Sequence, residues 1–397
     1  MPDQGETMGI NEAIAARAGE IAQWRRDLHR NPELLYDVHR TAGFVAGKLR
    51  AFGVDEVVTG IGQTGVVGII RGARGGGPVT GLRADMDALP ITEATGAAWA
   101  SQVPGKMHAC GHDGHTAMLL GAARHLAETR DFAGTVAVIF QPAEEGGAGG
   151  KAMVDDGMME RFAIARVFGM HNMPGIPVGQ FAIRPGPIMA AADHFSITIE
   201  GVGGHAAMPH KCVDPALVAA HLITSLQAIV ARSVDPVESA VLSVTSMQSS
   251  SDAYNVIPQR VELKGTVRTL SEQVRADVRM RMDRVLESLP AAFGARATMQ
   301  FRPGYPVTRN HGHETDFAAA VAGEVAGDEN VDASCAPLMG AEDFSFMLNA
   351  RPGAFIFTGN GDSAGLHHPA YDFNDSAIAH GASYWVRLAE RAGSLSV

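Results

Sequence analysis

Cysteine is almost missing from this chain: three residues in 397, Cys110, Cys212 and Cys335, odd in number and far apart. That argues against a disulfide framework and suits a reducing compartment, so a cytoplasmic location is expected. Aromatic residues are sparse at 6%. No window approaches the ~18 apolar residues of a membrane span, so no membrane role is expected. Basic clusters are equally short. None exceeds "WRRDLHR" and the formal net charge is −11, so a nucleic-acid partner has no electrostatic footprint. The opening "MPDQGETMGINEA" lacks the basic and apolar regions of a signal peptide and reads as a short frayed tail.

What is present is ordinary globular material, 46% hydrophobic and 19% charged, and its length calls for two domains. Strand-like runs alternate with helical patterns through the first half: "TGVVGIIRG", "PVTGLRADMD", "GTVAVIFQPAEE" and "IARVFGMHN", with "TAMLLGAARHLAET" as a helix among them. Such alternation predicts parallel βαβ units, hence an α/β fold with a mixed, mostly parallel sheet flanked by helices. The late run "GAFIFTGNG" reads as a buried strand rejoining that sheet, followed by a closing helix. The middle changes order to βαββαβ from residue 194, the pattern of a ferredoxin-like α+β domain. Gly and Pro mark its two ends. The expected division is a larger α/β domain over 1–188 and 304–397, interrupted by an inserted lid domain over 189–303.

Chemistry gathers where the strands end. Asp85 and Asp87 follow one apolar run, Glu144 and Glu145 another, His171 a third, and His367 and His368 the last, while "MHACGHDGH" packs Cys110, His112 and Asp113 together. Parallel sheets bind ligands beyond the carboxyl ends of their strands, so these segments should share one crevice. Each alone has a plain reading: a solvated acidic pair, a core histidine. Together, thiolate, imidazole and carboxylate form the ligand set of zinc and its transition-series neighbours. Five plausible ligands (Cys110, His112, Glu145, His171 and His367) exceed what one catalytic ion needs, which predicts two ions ~3.5–4 Å apart with a water between them. In "PAEE" one carboxylate can bind metal while its neighbour takes a proton from that water, which points to hydrolysis.

The strings "RRDLHRNPEL", "LRADMDALP", "MHACGHDGHTAMLLGAA", "VIFQPAEEGGAGG", "GMHNMPG", "GGHAAMPH", "YNVIPQ" and "LHHPAYDFND" resemble the hippurate hydrolase and indoleacetyl-amino-acid hydrolase branch of the aminoacylase/carboxypeptidase G metallopeptidase family. The match runs in order over nearly the whole chain after the first ten residues. The resemblance implies a zinc-exopeptidase-like catalytic domain that cleaves N-acyl amino acids with two divalent ions per subunit, whether zinc, manganese, cobalt or nickel. It makes 1–188 with 304–397 the catalytic domain and 189–303 the lid and dimerisation domain. It places metal ligands at Cys110, His112, Glu145, His171 and His367 and the general base at Glu144. Arg83 stands where the wider family has a ligand histidine, so Asp85 is expected to orient a ligand or the base instead. His205 matches a lid histidine that supports the oxyanion in a neighbouring subunit's site, and Asn255 and Arg268 match residues that hold the substrate carboxylate. A homodimer, or a tetramer of such dimers, is implied. Alternatives are a dipeptidase, an aminopeptidase, a deacetylase of a specialised substrate such as N-acetyl-diaminopimelate, or a non-catalytic metal-binding relative. The presence of Glu144, all five ligands and His205 favours the enzyme.

Overall fold

A computed structural model describes residues 9–393, so the first eight residues of the expected frayed tail lie outside the described residues. The chain divides into two compact units. The first comprises residues up to Ile188, Arg309–Ala336 and those from Asp343 onward; the second is Met189–Thr308 with Pro337–Glu342.

The first unit is α/β. Its eight-stranded sheet runs in the spatial order Glu56–Ile61, Gly65–Arg71, Thr135–Gln141, Val79–Asp85, Ile164–Pro174, Gly353–Gly361, Phe181–Ala182 and Val331–Asp332. The central strands Thr135–Gln141, Val79–Asp85, Ile164–Pro174 and Gly353–Gly361 are mutually parallel, with antiparallel pairings toward the edge formed by the first two strands. Strands buried on both faces need near-continuous apolar sequence, as "TVAVIFQ" supplies. Helix His112–Thr129 begins earlier than its apolar periodicity suggests, and its buried residues lie on all sides. Such close packing demands small residues: a Cβ on Gly114 would lie 2.2 Å from Phe373 and one on Gly121 2.6 Å from Ile21.

The second unit is a four-stranded antiparallel sheet in the order Ala240–Ser249, Arg260–Thr269, Ala191–Glu200, Arg296–Pro303, with helices Pro215–Ser233 and Glu272–Ala292. In chain order the strands stand second, third, first and fourth, the arrangement of a ferredoxin-like domain. Alternation along Arg260–Thr269 buries Val261, Leu263 and Val267 against the two helices' Leu222, Leu226 and Met282. Contrary to the sequence expectation, one helix, Pro215–Ser233, is long and apolar enough to cross a membrane by length and composition. Its Val218, Leu222, Leu226 and Ile229 are buried in this core instead.

Candidate metal centre

The parallel strands deliver their polar ends to one edge of the first unit. Asp85 ends its strand, Glu144 and Glu145 follow Gln141, and His171 lies near the end of Ile164–Pro174. His367 follows Gly353–Gly361, and its amide donates to the Ala109 carbonyl at 2.8 Å. His112 opens its helix, one residue after Gly111 at φ 90°. A Cβ on Gly111 would meet Asn172 Nδ2 at 2.2 Å and the Tyr371 hydroxyl at 2.5 Å, so only glycine lets Cys110 and His112 flank this turn.

Hydrogen bonds decide which ring nitrogens are available. His112 Nδ1 lies 2.8 Å from the Asp87 carbonyl and His171 Nδ1 2.6 Å from the Asn172 carbonyl. A carbonyl only accepts, so both rings donate from Nδ1 and, when neutral, present a lone pair at Nε2. His171 Nε2 lies 3.3 Å from Cys110 Sγ. His112 Nε2 and Glu145 Oε1 are buried and make no hydrogen bond among the described residues. That Glu145 oxygen is 3.3 Å from His367 Nε2 and 4.0 Å from His112 Nε2. Three overlapping groups each have their ligand atoms within 4.8 Å of one another: Cys110, His112 and His171; Cys110, Glu145 and His367; and His112, Glu144 and Glu145. The five expected ligands and Glu144 thus stand together. Orphaned buried acceptors are costly, and lone pairs of thiol, imidazole and carboxylate directed at common points fit divalent ions of the zinc type.

A further grouping, Asp85 with His112 and His115, meets the same distance limit, but the atoms of Asp85 and His115 are already engaged. His115 Nδ1 bonds Asp85 Oδ1 at 2.6 Å, and its Nε2 accepts the Asn172 amide at 2.9 Å. Asp85 Oδ2 accepts from the buried Arg83 at 2.8 Å. Asp85 therefore orients His115, and the loop carrying Glu144 is held by another residue. The two oxygens of Asp87 accept the amides of Glu144 at 2.8 Å and Glu145 at 3.1 Å. Sequence reasoning places Asp87 at a strand end without giving it a task; its only signal was the Asp-x-Asp spacing. Asn172 and Tyr371 were likewise missed. Asn172 Nδ2 donates to the Cys110 carbonyl at 2.7 Å, and the Tyr371 hydroxyl donates to Asn172 Oδ1 at 2.6 Å.

The field at this cluster seeks positive charge. Burial would lower His112, yet Asp85, Asp87 and Glu145 outweigh it and push the imidazole up to about 10. Burial, with Glu145, Glu144 and Asp85, holds the Cys110 thiol well above its usual range. Burial would raise Glu145, but His367 and His112 hold it below. His171, buried beside His115 and His112, is held well below its ordinary value. Carboxylates that drive one imidazole to take a proton would equally favour a bound cation.

The remaining expected residues lie in the second unit. Strand Gly204–His205 pairs with Val256–Ile257, with His205 opposite Val256, and the Asn255 carbonyl accepts the Ala206 amide at 3.0 Å, which sets His205 beside Asn255. His205 is exposed, and its Nδ1 accepts the Ala207 amide at 3.1 Å. The neutral ring therefore carries its proton on Nε2, as a donor. Arg268 stands apart from that ribbon on strand Arg260–Thr269 and makes no ion pair or hydrogen bond among the described residues. The nearby acid Asp193 is already taken by Arg275, at 2.8 and 2.5 Å. Burial lowers the Arg268 guanidinium, with Asp193 opposing.

Peptidase family M20/M25/M40 matches residues 81–391. The hippurate hydrolase of Campylobacter jejuni is 41% identical, covering 96% of this chain and 99% of that protein. The N-acetylcysteine deacetylase of Bacillus subtilis is 39% identical, covering 93% and 96%. Among solved structures, the Bacillus subtilis YXEP protein, described as a dinuclear metal-binding peptidase from the M20 family, superposes with a TM-score of 0.83 at 36% identity, covering 96% and 99%.

Proposed function

This chain belongs to peptidase family M20/M25/M40 and is a metal-dependent amide hydrolase; we propose that it cleaves N-acyl amino acids with two divalent ions per subunit, of zinc, manganese, cobalt or nickel. The observation carrying this reading is the convergence of Cys110, His112, Glu145, His171 and His367 on shared points with Glu144 beside them. Those five residues would hold the ions. When bound, the ions supply Lewis acidity toward the amide carbonyl and a water acidic enough to lose a proton near neutral pH.

Glu144 takes that proton as the water oxygen bonds to the amide carbon, then delivers it to the amine nitrogen as the C–N bond breaks. Asp87 fixes where Glu144 stands by capping its backbone amide. His205 donates from Nε2 to the carbonyl oxygen as charge builds there. Arg268, half-buried and without an acidic partner, suits the substrate's carboxylate, with Asn255 as a second donor. A free carboxylate next to the cleaved amide is what separates an N-acyl amino acid from a simple amide.

The protein acts as a cytoplasmic homodimer joined through the second unit, with His205 serving the partner's site. Among the described residues, exposed large hydrophobics fall almost entirely in that unit, including Val241 and Met247 on its edge strand. The test of the reading is hydrolysis of a panel of N-acyl amino acids, their amide analogues lacking the carboxylate, and free dipeptides after loading with each metal. Cleavage of the first group alone is expected; equal cleavage of the carboxylate-free amides would refute the substrate assignment.

A further inference from the structure

Among the described residues, Leu35 is the one exposed large hydrophobic outside the second unit, at 41% exposure. Its backbone is also out of place, since φ 50° lies in the left-handed region that leucine seldom enters. Two hydrogen bonds hold it and its neighbour there. The Leu35 carbonyl accepts the amide of Ala143, the residue before Glu144, at 3.1 Å. The Tyr36 hydroxyl donates to the Gly147 carbonyl at 2.7 Å. The Leu35 side chain lies 3.4 Å from where a Cβ on Gly147 would stand. The segment therefore grips the Glu144–Glu145 loop from both ends and presents a partly exposed isobutyl group beside it.

Strained backbone of this kind persists where its surroundings over-determine it, and it gathers at functional sites. A leucine that only packed the loop would bury its side chain; this one rests a methyl against the Gly147 position, three residues past the proposed general base, and stays 41% exposed. We propose that Leu35 is a specificity-determining residue, an apolar wall for the acyl group of the substrate that favours aromatic or branched acyl groups such as benzoyl over acetyl. The inference rests on the N-acyl-amino-acid reading above. The other half of such a substrate carries a carboxylate, to which a hydrocarbon offers nothing and for which Arg268 is suited. An acyl ring, by contrast, leaves water when it covers Leu35.

The test compares kcat/KM for N-acetylglycine, N-butanoylglycine and N-benzoylglycine, and for a series of N-benzoyl amino acids, in the metal-loaded wild type, Leu35→Ala and Leu35→Asn. Asparagine tolerates a left-handed backbone, so the second variant keeps the segment in place while removing the apolar face. Both variants should lower the benzoyl-to-acetyl ratio about tenfold or more, within the ~10–200-fold that small apolar differences command in a pocket. The ranking among amino acids should stay as in the wild type. A uniform loss over all substrates would mean that Leu35 only packs the loop and would overturn the proposal, as would a change confined to the amino-acid series. A wild type that cleaves no N-acyl amino acid would remove the underlying reading and this inference with it. Cleavage with an unaltered ratio in both variants would remove the inference alone.

Discussion

Glu144 and Glu145 are adjacent and chemically alike, yet their surroundings differ and the proposed function gives them different tasks. The Glu145 oxygen is turned toward His367 and His112, while Glu144 groups both with His112 and Glu145 and with Glu342 and Asp343; on the proposed reading it is Glu144 that takes the proton. Glu144→Gln keeps the shape and removes the acceptor, so kcat should fall ~10²–10⁴-fold with metal content intact; near-normal turnover in elementally verified holoenzyme would exclude Glu144 as the base. Farther in, His29 is buried between Asp113 at 2.8 Å and Glu93 at 3.3 Å. Burial opposes its charge, but the two carboxylates raise it from 6.5 to about 9. A raised imidazole stabilises the fold fully below about pH 6.5 and loses that contribution as pH rises through about 9. Glu93, held at about 2 by His29, Thr95 and Ser101 against its own burial, works oppositely, contributing above its usual 4.5 and failing as pH falls toward 2. The His29 share is of order 3 kcal/mol at most. Thermal melts should show the wild type losing more Tm than His29→Gln between pH 6.5 and 9, and parallel curves would contradict this ion-pair assignment.

At the scale of elements, the central strands were legible because a doubly buried parallel strand needs an unbroken apolar run, and polar residues can appear only where it ends. That rule placed Asp85, Glu144, His171 and His367 at one edge from local pattern alone. The short strands Phe181–Ala182 and Val331–Asp332 carry too few residues to show a period, and helix Glu12–Arg30 was not drawn from "RRDLHR". Asp87 and Asn172 were hidden for another reason: they act through backbone groups of segments 57 and 62 residues away, which no local spacing records. Gly111 shows how one such element fails. Gly111→Ala would force an L side chain to φ 90° and into Asn172 and Tyr371, costing about 1–3 kcal/mol from the backbone alone. Loss of Tm together with at least about tenfold weaker metal binding is expected. Gly43→Ala, on exposed helix with nothing within 4 Å of the new Cβ, is the control and should stabilise slightly. Normal metal affinity in Gly111→Ala would contradict the role given to this turn.

For the whole molecule, the βαββαβ order of the second unit was legible because its helices and strands are long and strongly patterned. Its recruitment of Pro337–Glu342 was not, since nothing in "PLMGAE" differs in composition from the loops around it. The proposed dimer adds a dependence that no single chain has. If His205 serves the partner's site, mixing inactive His205→Ala chains with inactive Glu144→Gln chains should restore up to about half of the wild-type rate per heterodimer, because one site then has both groups. No recovery after verified subunit exchange would mean that His205 acts within its own chain or not at all. The central claim, hydrolysis by a two-metal centre, is tested most directly by stripping the protein of metal and titrating a divalent ion back while following cleavage of N-benzoylglycine. The account predicts no cleavage by the stripped protein and a rise that saturates at two ions per chain; full cleavage without metal, or saturation at one ion, would contradict it.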